Sequence, residues 1–217
     1  MDDLLLPLFP LAIVILPEEP LPLHIFEDRY KQMIGECLAA KAAGSNKQEF
    51  GIVFAKEQSL HTVGCAARIV NVTRKYDDGR MDIFTTGTRR FEILYTNEEK
   101  AYLRGGVDFF EDEPGHDVAG EEEAQRAIDL FRQAIQRLRK STDVPIHLPR
   151  PHRDLSFRIA APLPLDLDFK QQLLGLRNES ERLRHVTRVM EKLIVQLDLV
   201  QKAKAKAGGN GNVPTQG

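Results

Sequence analysis

Leu6-Pro7-Leu8-Phe9-Pro10, an extended Ala12-Ile13-Val14-Ile15-Leu16, and then Pro22-Leu23-His24-Ile25-Phe26-Glu27-Asp28-Arg29-Tyr30-Lys31-Gln32-Met33 set the architecture of this chain. The stretch passes from extended apolar segments into a helix. Tyr30, Met33, Ile34, Cys37 and Leu38 recur at i, i+3, i+4, i+7 and i+8, which puts them on one stripe while Lys31, Gln32 and Glu36 face outward. Such a stripe is suited to plug the open side of a barrel formed by the strands that follow.

Those strands are legible in composition. Residues 62–74, 81–86, 91–96 and 101–109 are rich in Val, Ile, Thr, Phe and Tyr, and Asp78-Gly79 marks a hairpin between Tyr76 and Arg80. In Thr62–Thr73, Val63, Cys65, Ala67 and Ile69 alternate with Gly64, Ala66, Arg68 and Val70, so the pleat predicts one well-buried face. The acidic run Glu111-Asp112-Glu113-Pro114-Gly115-His116-Asp117 then reads as a solvated linker between unlike halves.

Helical periodicity takes over beyond it. Ala124, Ala127, Ile128, Phe131, Ile135 and Leu138 form a stripe, with Glu121–Glu123 at its start and Arg137, Arg139 and Lys140 at its end, as the helix dipole favours. Pro145, Pro149 and Pro151 force a break before a helical run from Asp154 to Ala161, which Pro162 and Pro164 end. Asp166 caps a short helix closed by Gly175. Asn178 with Glu181 starts the last helix, and Leu183, Val186, Met190, Leu193, Leu197 and Val200 form its seam, assigned to an intramolecular bundle over a dimeric coiled coil.

Read in order, the Pro7–Leu11 opening, the Leu21–Tyr30 signature, Phe50-Gly51-Ile52-Val53, Val63-Gly64-Cys65-Ala66-Ala67-Arg68-Ile69, Gly87-Thr88-Arg89-Arg90-Phe91 and Ile159–Leu165 resemble the N-terminal domain of the Lon protease family across residues 4–195. The resemblance implies an α+β fold. A PUA-like β-barrel or pseudobarrel with one early helix spans 1–112, an acidic linker 113–120 and a helical bundle 121–203, and a disordered tail occupies 204–217. It implies recognition of protein substrates without chemistry. The peptide-binding surface it suggests comprises Pro22, His24, Phe26, Arg29, Tyr30, Gly87, Arg90 and Phe91, several of which serve structure. Competing structural readings are a hydrogen bond from His24 beside Pro22, a salt bridge from Arg89 or Arg90, in the turn after Gly87, to the first helix, and an internal acid for Arg29. One departure is Leu16-Pro17-Glu18-Glu19-Pro20, where relatives carry a hydrophobic residue and Pro-Gly. That loop is expected to present acidic side chains.

Composition narrows the function classes. The chain has 217 residues, 42% of them hydrophobic, and a formal charge of −2, which argues against the broad basic field of non-specific nucleic-acid binders. No apolar run approaches the length of a membrane span, and the acidic Met1-Asp2-Asp3 is unlike a signal peptide, so the expected location is the cytoplasm. Cys37 and Cys65 read as small core residues. No Gly is followed by Lys, which excludes a P-loop within this sequence. Ser45, Ser59, Ser141, Ser156 and Ser180 lack the small-residue setting of a Lon-type Ser-Lys site, and Lys140-Ser141 is a poor dyad because helical neighbours point apart. His24, His61, His116, His147, His152 and His185 show no metal-ligand spacing, and His147 and His152 fall in the Pro-rich connector.

The expectation is therefore a non-catalytic domain with no cofactor and no metal. It would bind unfolded or degron-bearing polypeptides in a groove between barrel and bundle, as a monomer or weak homodimer, assisting or modulating a separate ATP-dependent protease. The alternative is a PUA-like RNA-binding module, marked by a basic, aromatic-bearing surface. An enzyme site assembled from distant residues is the third class.

Overall fold

The computed structural model describes residues 5–45, 48–57, 59–139 and 151–209. Strands β1 (Leu6–Leu11) and β2 (Pro20–Ile25) lead into α1 (Asp28–Ala42), followed by β3 (Glu49–Lys56), β4 (Ser59–Lys75), β5 (Met81–Asn97) and β6 (Arg104–Phe110). Helices α2 (Glu121–Arg139), α3 (Leu155–Ala160), α4 (Leu167–Gly175) and α5 (Glu179–Gly209) complete the chain.

The sheet has the order β2-β5-β4-β3-β1-β6, and a further β5–β6 pairing closes it into a barrel. Closure depends on the length of β5. Its first half pairs with β2, its residues up to Glu92 pair with β4, and Arg90–Asn97 pairs with β6 across a bulge at Ile93/Tyr95. The segments 81–86 and 91–96 are thus one continuous strand, and Gly87–Phe91 lies inside it instead of forming a turn. Gly87 is required there because the loop after Leu16 crosses the strand. A Cβ on Gly87 would stand 2.2 Å from the Leu16 carbonyl oxygen, and Gly87 exchanges backbone hydrogen bonds with Glu18 and Glu19.

In α1, Tyr30, Met33, Ile34 and Cys37 are buried as the stripe requires, closing one side of the barrel against Phe9, Phe50 and Ile69. β4 departs from simple alternation: Gly64, Cys65, Ala66 and Ala67 are all buried. Its second face is covered by a smaller cluster of Leu8, Val53, Ala66 and Phe91, and small residues on both sides allow the two layers to approach. Burial pushes the thiols of both Cys37 and Cys65 up to about 12, as befits inert core cysteines.

In the second half, Asp166 accepts from the amides of Asp168 and Phe169, and Asn178 accepts from Glu181, so both helix starts are capped by their own side chains. Helices α2 and α5 run parallel. The pairs Arg184–Glu123, Arg126–Glu191 and Arg137–Asp198 advance along both in the same direction. The α5 seam is buried at Leu183, Val186 and Met190 and partly covered at Leu193, whereas Val200 is exposed. The tail expected from residue 204 is helical to Gly209, since its alternating Lys and Ala are strong helix formers. Lys140, Ser141, Pro145, His147, Pro149 and residues 210–217 lie outside the described residues.

Helix α1 is also tied to the β5–β6 connection. The Glu36 carboxylate accepts from Lys100 Nζ at 2.5 Å, from the Tyr102 hydroxyl at 2.6 Å and from Gln32 Nε2 at 3.0 Å. Burial raises its pKa, but these three donors outweigh that and bring it from 4.5 down to about 2. A depressed carboxylate stabilises the fold above its unfolded value and loses that contribution as the pH falls through the folded one. Glu36→Gln is therefore expected to lower the melting temperature at pH 7, with the gap to the parent protein narrowing below pH 4.5 and closing near 2. Thermal melts across that range measure it.

Candidate functional site

Beyond the closed barrel, β2, the first half of β5 and the second half of β4 form a three-stranded arm. Its register places Pro20, Thr86 and Arg68 in one row, Pro22, Phe84 and Asn71 in the next, and His24, Asp82 and Arg74 in the third, all on one face. Leu21, Leu23, Ile25, Ile83 and Thr85 take the opposite face towards the core. The outer face is not simply polar. Phe84 is 37% exposed, Val70 at a bulge 49% and Phe26 at the end of β2 58%.

An aromatic corner fixes the end of this face. His24 stacks on Phe26 with ring centroids 6.0 Å apart and meets Tyr76 edge-on at 5.8 Å. His24 Nδ1 lies 2.5 Å from Asp82 Oδ1, and the Tyr76 hydroxyl donates to Asp82 Oδ2 at 2.8 Å. The His24 and Tyr76 hydrogen bonds hold the Asp82 carboxyl below its ordinary range. Arg74 lies over the Tyr76 ring at 4.6 Å. Arg29 is exposed and pairs with Glu27 beside the same corner.

The remaining signature residues face inward. Tyr30 belongs to the core beneath α1, Phe91 is fully buried, and Gly87 is pressed against the Leu16 backbone. A Cβ on Gly51 or Gly64 would stand 2.5 Å from the Phe91 ring, so the two glycines form its seat. Arg90 is buried as well. Its Nη1 donates to the carbonyls of Leu174 and Leu176 at 3.3 and 2.5 Å, and its Nη2 to Asp112 at 2.6 Å. Neither Arg89, paired with Glu49 at the start of β3, nor Arg90 reaches α1. Burial therefore leaves Pro22, His24, Phe26 and Arg29 as the signature residues open to a ligand.

Asp112 corrects the reading of the acidic run as a solvated linker. Its carboxylate is 4% exposed and accepts from Arg90 and from both terminal nitrogens of Arg182, at 2.5 and 2.6 Å. Arg182, fully buried, also donates to Glu179 at 2.7 Å and to Ser156 Oγ at 3.0 Å, and lies 4.4 Å from the Phe157 centroid. Burial raises the pKa of Asp112, but the two guanidinium groups prevail and leave it lowered. Asp112, Asp154 and Glu179 converge as three carboxylates, and the Arg182 guanidinium occupies the position a cation would take. Ser156 is buried with its hydroxyl donated to Glu179, so it offers no nucleophile. Glu18, itself exposed, pairs with Arg158 and Glu19 with Lys170, both of the helical half.

A cleft of about 600 Å³ does separate barrel and helices, lined by Pro17, Arg89, Phe109, Asp112, Arg153 and Asp154. Its charges are largely spoken for: Arg89 pairs with Glu49 and Arg153 with Asp117, while Arg90 and Asp112 make up its floor. Among the exposed large apolar side chains, Phe26, Val70 and Phe84 share the arm, whereas Leu94 and Tyr95 lie in the second half of β5 and Val195, Leu199 and Val200 on α5. Arg68 and Arg74 also belong to the surface of the arm, as do Phe84, Val70 and Tyr76, which the sequence does not mark as binding residues. An aromatic at Phe84, on the polar side of the Asp82–Thr86 alternation, was the available signal.

A barrel with a helical cap agrees with comparison to known proteins. The sequence matches the ATP-dependent protease La (LON) substrate-binding domain over residues 5–192, and the chain belongs to that family. It is 27% identical to Lon protease of Escherichia coli K12 over 212 residues, covering 92% of this chain and 26% of that one. It is likewise 27% identical to Lon protease 1 of Hydrogenovibrio crunogenus over 155 residues, 68% of this chain and 18% of the relative. The chain thus spans about a quarter or less of these relatives. The crystal structure of a Lon N-terminal domain protein from Xanthomonas campestris superposes with a TM-score of 0.63 at 24% identity, covering 84% of this chain and 96% of that one.

Removing one member of the buried cluster leaves charge without compensation. Asp112→Ala strands two guanidinium groups between the halves and is expected to cost about 3–5 kcal/mol of folding free energy. Urea unfolding monitored by circular dichroism tests this.

Proposed function

We propose that this chain recognises protein substrates by holding an apolar, unfolded or degron-bearing polypeptide segment against the outer face of the arm, and that it performs no chemistry itself. The observation carrying this reading is the grouping of Pro22, Phe26, Val70 and Phe84 in solvent on one sheet face. Membership of a substrate-binding domain family supports the same role. The buried network joins the two halves, so the face is presented by a preorganised scaffold and little ordering free energy is lost on binding.

The mode of contact follows from β2. Among the described residues it pairs only with β5, leaving its other edge open, but Pro20 and Pro22 have no amide hydrogens to offer there. A client lies across the face and does not extend the sheet. In the cell the domain delivers clients to, or modulates, a separate ATP-dependent protease, in the cytoplasm. No helix among the described residues is long and apolar enough to cross a membrane.

Burying one Phe side chain is worth about 1.5–3 kcal/mol, or roughly ten- to a hundredfold in affinity. Phe26→Ser combined with Phe84→Ser is expected to weaken binding of a fluorescently labelled unfolded protein at least tenfold, with circular dichroism unchanged because both residues are exposed. Saturable binding that survives physiological salt supports the proposal. Tight, salt-sensitive RNA binding without client binding overturns it in favour of a nucleic-acid module.

A further inference from the structure

We infer that the arm selects apolar segments flanked on both sides by acidic residues, with the two carboxylates about four residues apart in an extended client. This rests on the proposal that the arm is the client-binding face, and deepens it by naming the client.

The argument comes from charge placement. The outer face carries its apolar residues in the middle row, Pro22 and Phe84, with Val70 beside them, while Arg68 and Arg74 stand in the rows on either side. Both arginines are exposed, and among the described residues neither has a carboxylate within 4.0 Å. That sets them apart from their neighbours: Arg29 pairs with Glu27, Arg80 with Asp78, and Arg89 with Glu49. The carboxylates opposite Arg68 and Arg74 in the register are engaged elsewhere: Glu49, across from Arg68 on β3, accepts from Arg89, and Asp82, across from Arg74 on β5, is held by His24 and Tyr76. Arg74 is held over the Tyr76 ring, which keeps its guanidinium beside the apolar strip instead of free in solvent. The apolar strip therefore has at each end an arginine that forms no ion pair among the described residues.

The spacing follows from the register. Arg68 is opposite Thr86 and Arg74 opposite Asp82, so the two arginines are separated by four residues of β5, about 13 Å of extended chain. A client crossing the strip in extended form matches both guanidinium groups with acids at i and i+4 and places its apolar side chains over Phe84 and Pro22 between them. Planar guanidinium groups bind carboxylates bidentately, which adds orientation to attraction.

The test uses the full chain and three fluorescent peptides that share an apolar core of three residues and carry Asp, Gln or Lys at both flanking positions. Fluorescence anisotropy at low and physiological salt reads the affinities. The Asp-flanked peptide is expected to bind about five- to tenfold tighter than the Lys-flanked one at low salt, with the preference shrinking as salt rises. Arg68→Glu with Arg74→Glu is expected to reverse the order, and Arg68→Gln with Arg74→Gln to erase it. Equal affinity for Asp- and Lys-flanked peptides overturns this inference and leaves apolar recognition standing. Failure of all three peptides to bind, while the parent chain is folded, overturns the underlying reading as well. Single-stranded RNA binding that is lost in the Arg68→Gln, Arg74→Gln variant, with peptide binding unaffected, reassigns the two arginines to phosphate contacts and also overturns the inference.

Discussion

The ion cluster of Arg182, Asp112, Arg90 and Glu179 is the constraint around which this molecule is organised. Three segments far apart in sequence meet in it: the middle of β5, the first residues after β6 and the start of α5. None of these charges is stable when buried alone, because desolvation is offset only if every donor and acceptor finds a partner. The carbonyls of Leu174 and Leu176, the hydroxyl of Ser156 and the ring of Phe157 complete the set. The barrel and helices are therefore coupled by geometry, and the segment joining them is no free hinge. Backbone hydrogen bonds from Glu113 to Arg177, from Glu179 to His116 and from Ala119 to His152 hold it further.

With the halves fixed, the division of labour becomes clear. The closed barrel and α1 bury the large aromatic and aliphatic residues, whereas the arm lies outside that closure and has one face with nothing to cover it among the described residues. An exposed apolar strip would ordinarily invite edge-to-edge association. Here the prolines of β2 remove amide donors from the edge while leaving the face available. The aromatic corner of His24, Phe26 and Tyr76, anchored on Asp82, keeps that face in a defined shape.

Much of the fold was legible in the sequence. The α1 stripe, the Asp78-Gly79 hairpin, the Asp166 cap and the Asn178 start of α5 each depend on residues within a few positions of one another, where periodicity and capping chemistry are readable. The errors share a different cause. Gly87 reads locally as a turn because its real partner, the Leu16 carbonyl, lies 71 positions earlier and only the folded chain brings it near. Asp112 was taken for solvated linker because nothing local reveals that Arg90 and Arg182 converge on it. The acidic loop leaves Glu18 exposed, but its ion pairs with Arg158 and Lys170 join it to residues far along the chain that no local pattern reveals.

Sequence by itself determined the element types, the family and the segment from which the candidate surface starts, because those rest on short-range pattern. Tertiary structure decided which signature residues face solvent. Pro22, His24, Phe26 and Arg29 remain outside, while Tyr30, Gly87, Arg90 and Phe91 are consumed by the fold. Tertiary structure also sets Phe84 and Val70 in solvent and places Arg68 and Arg74 in the rows on either side of them. Exposure is a property of how strands are registered and where a barrel closes, and the closure of this one is set by long-range pairing along β5.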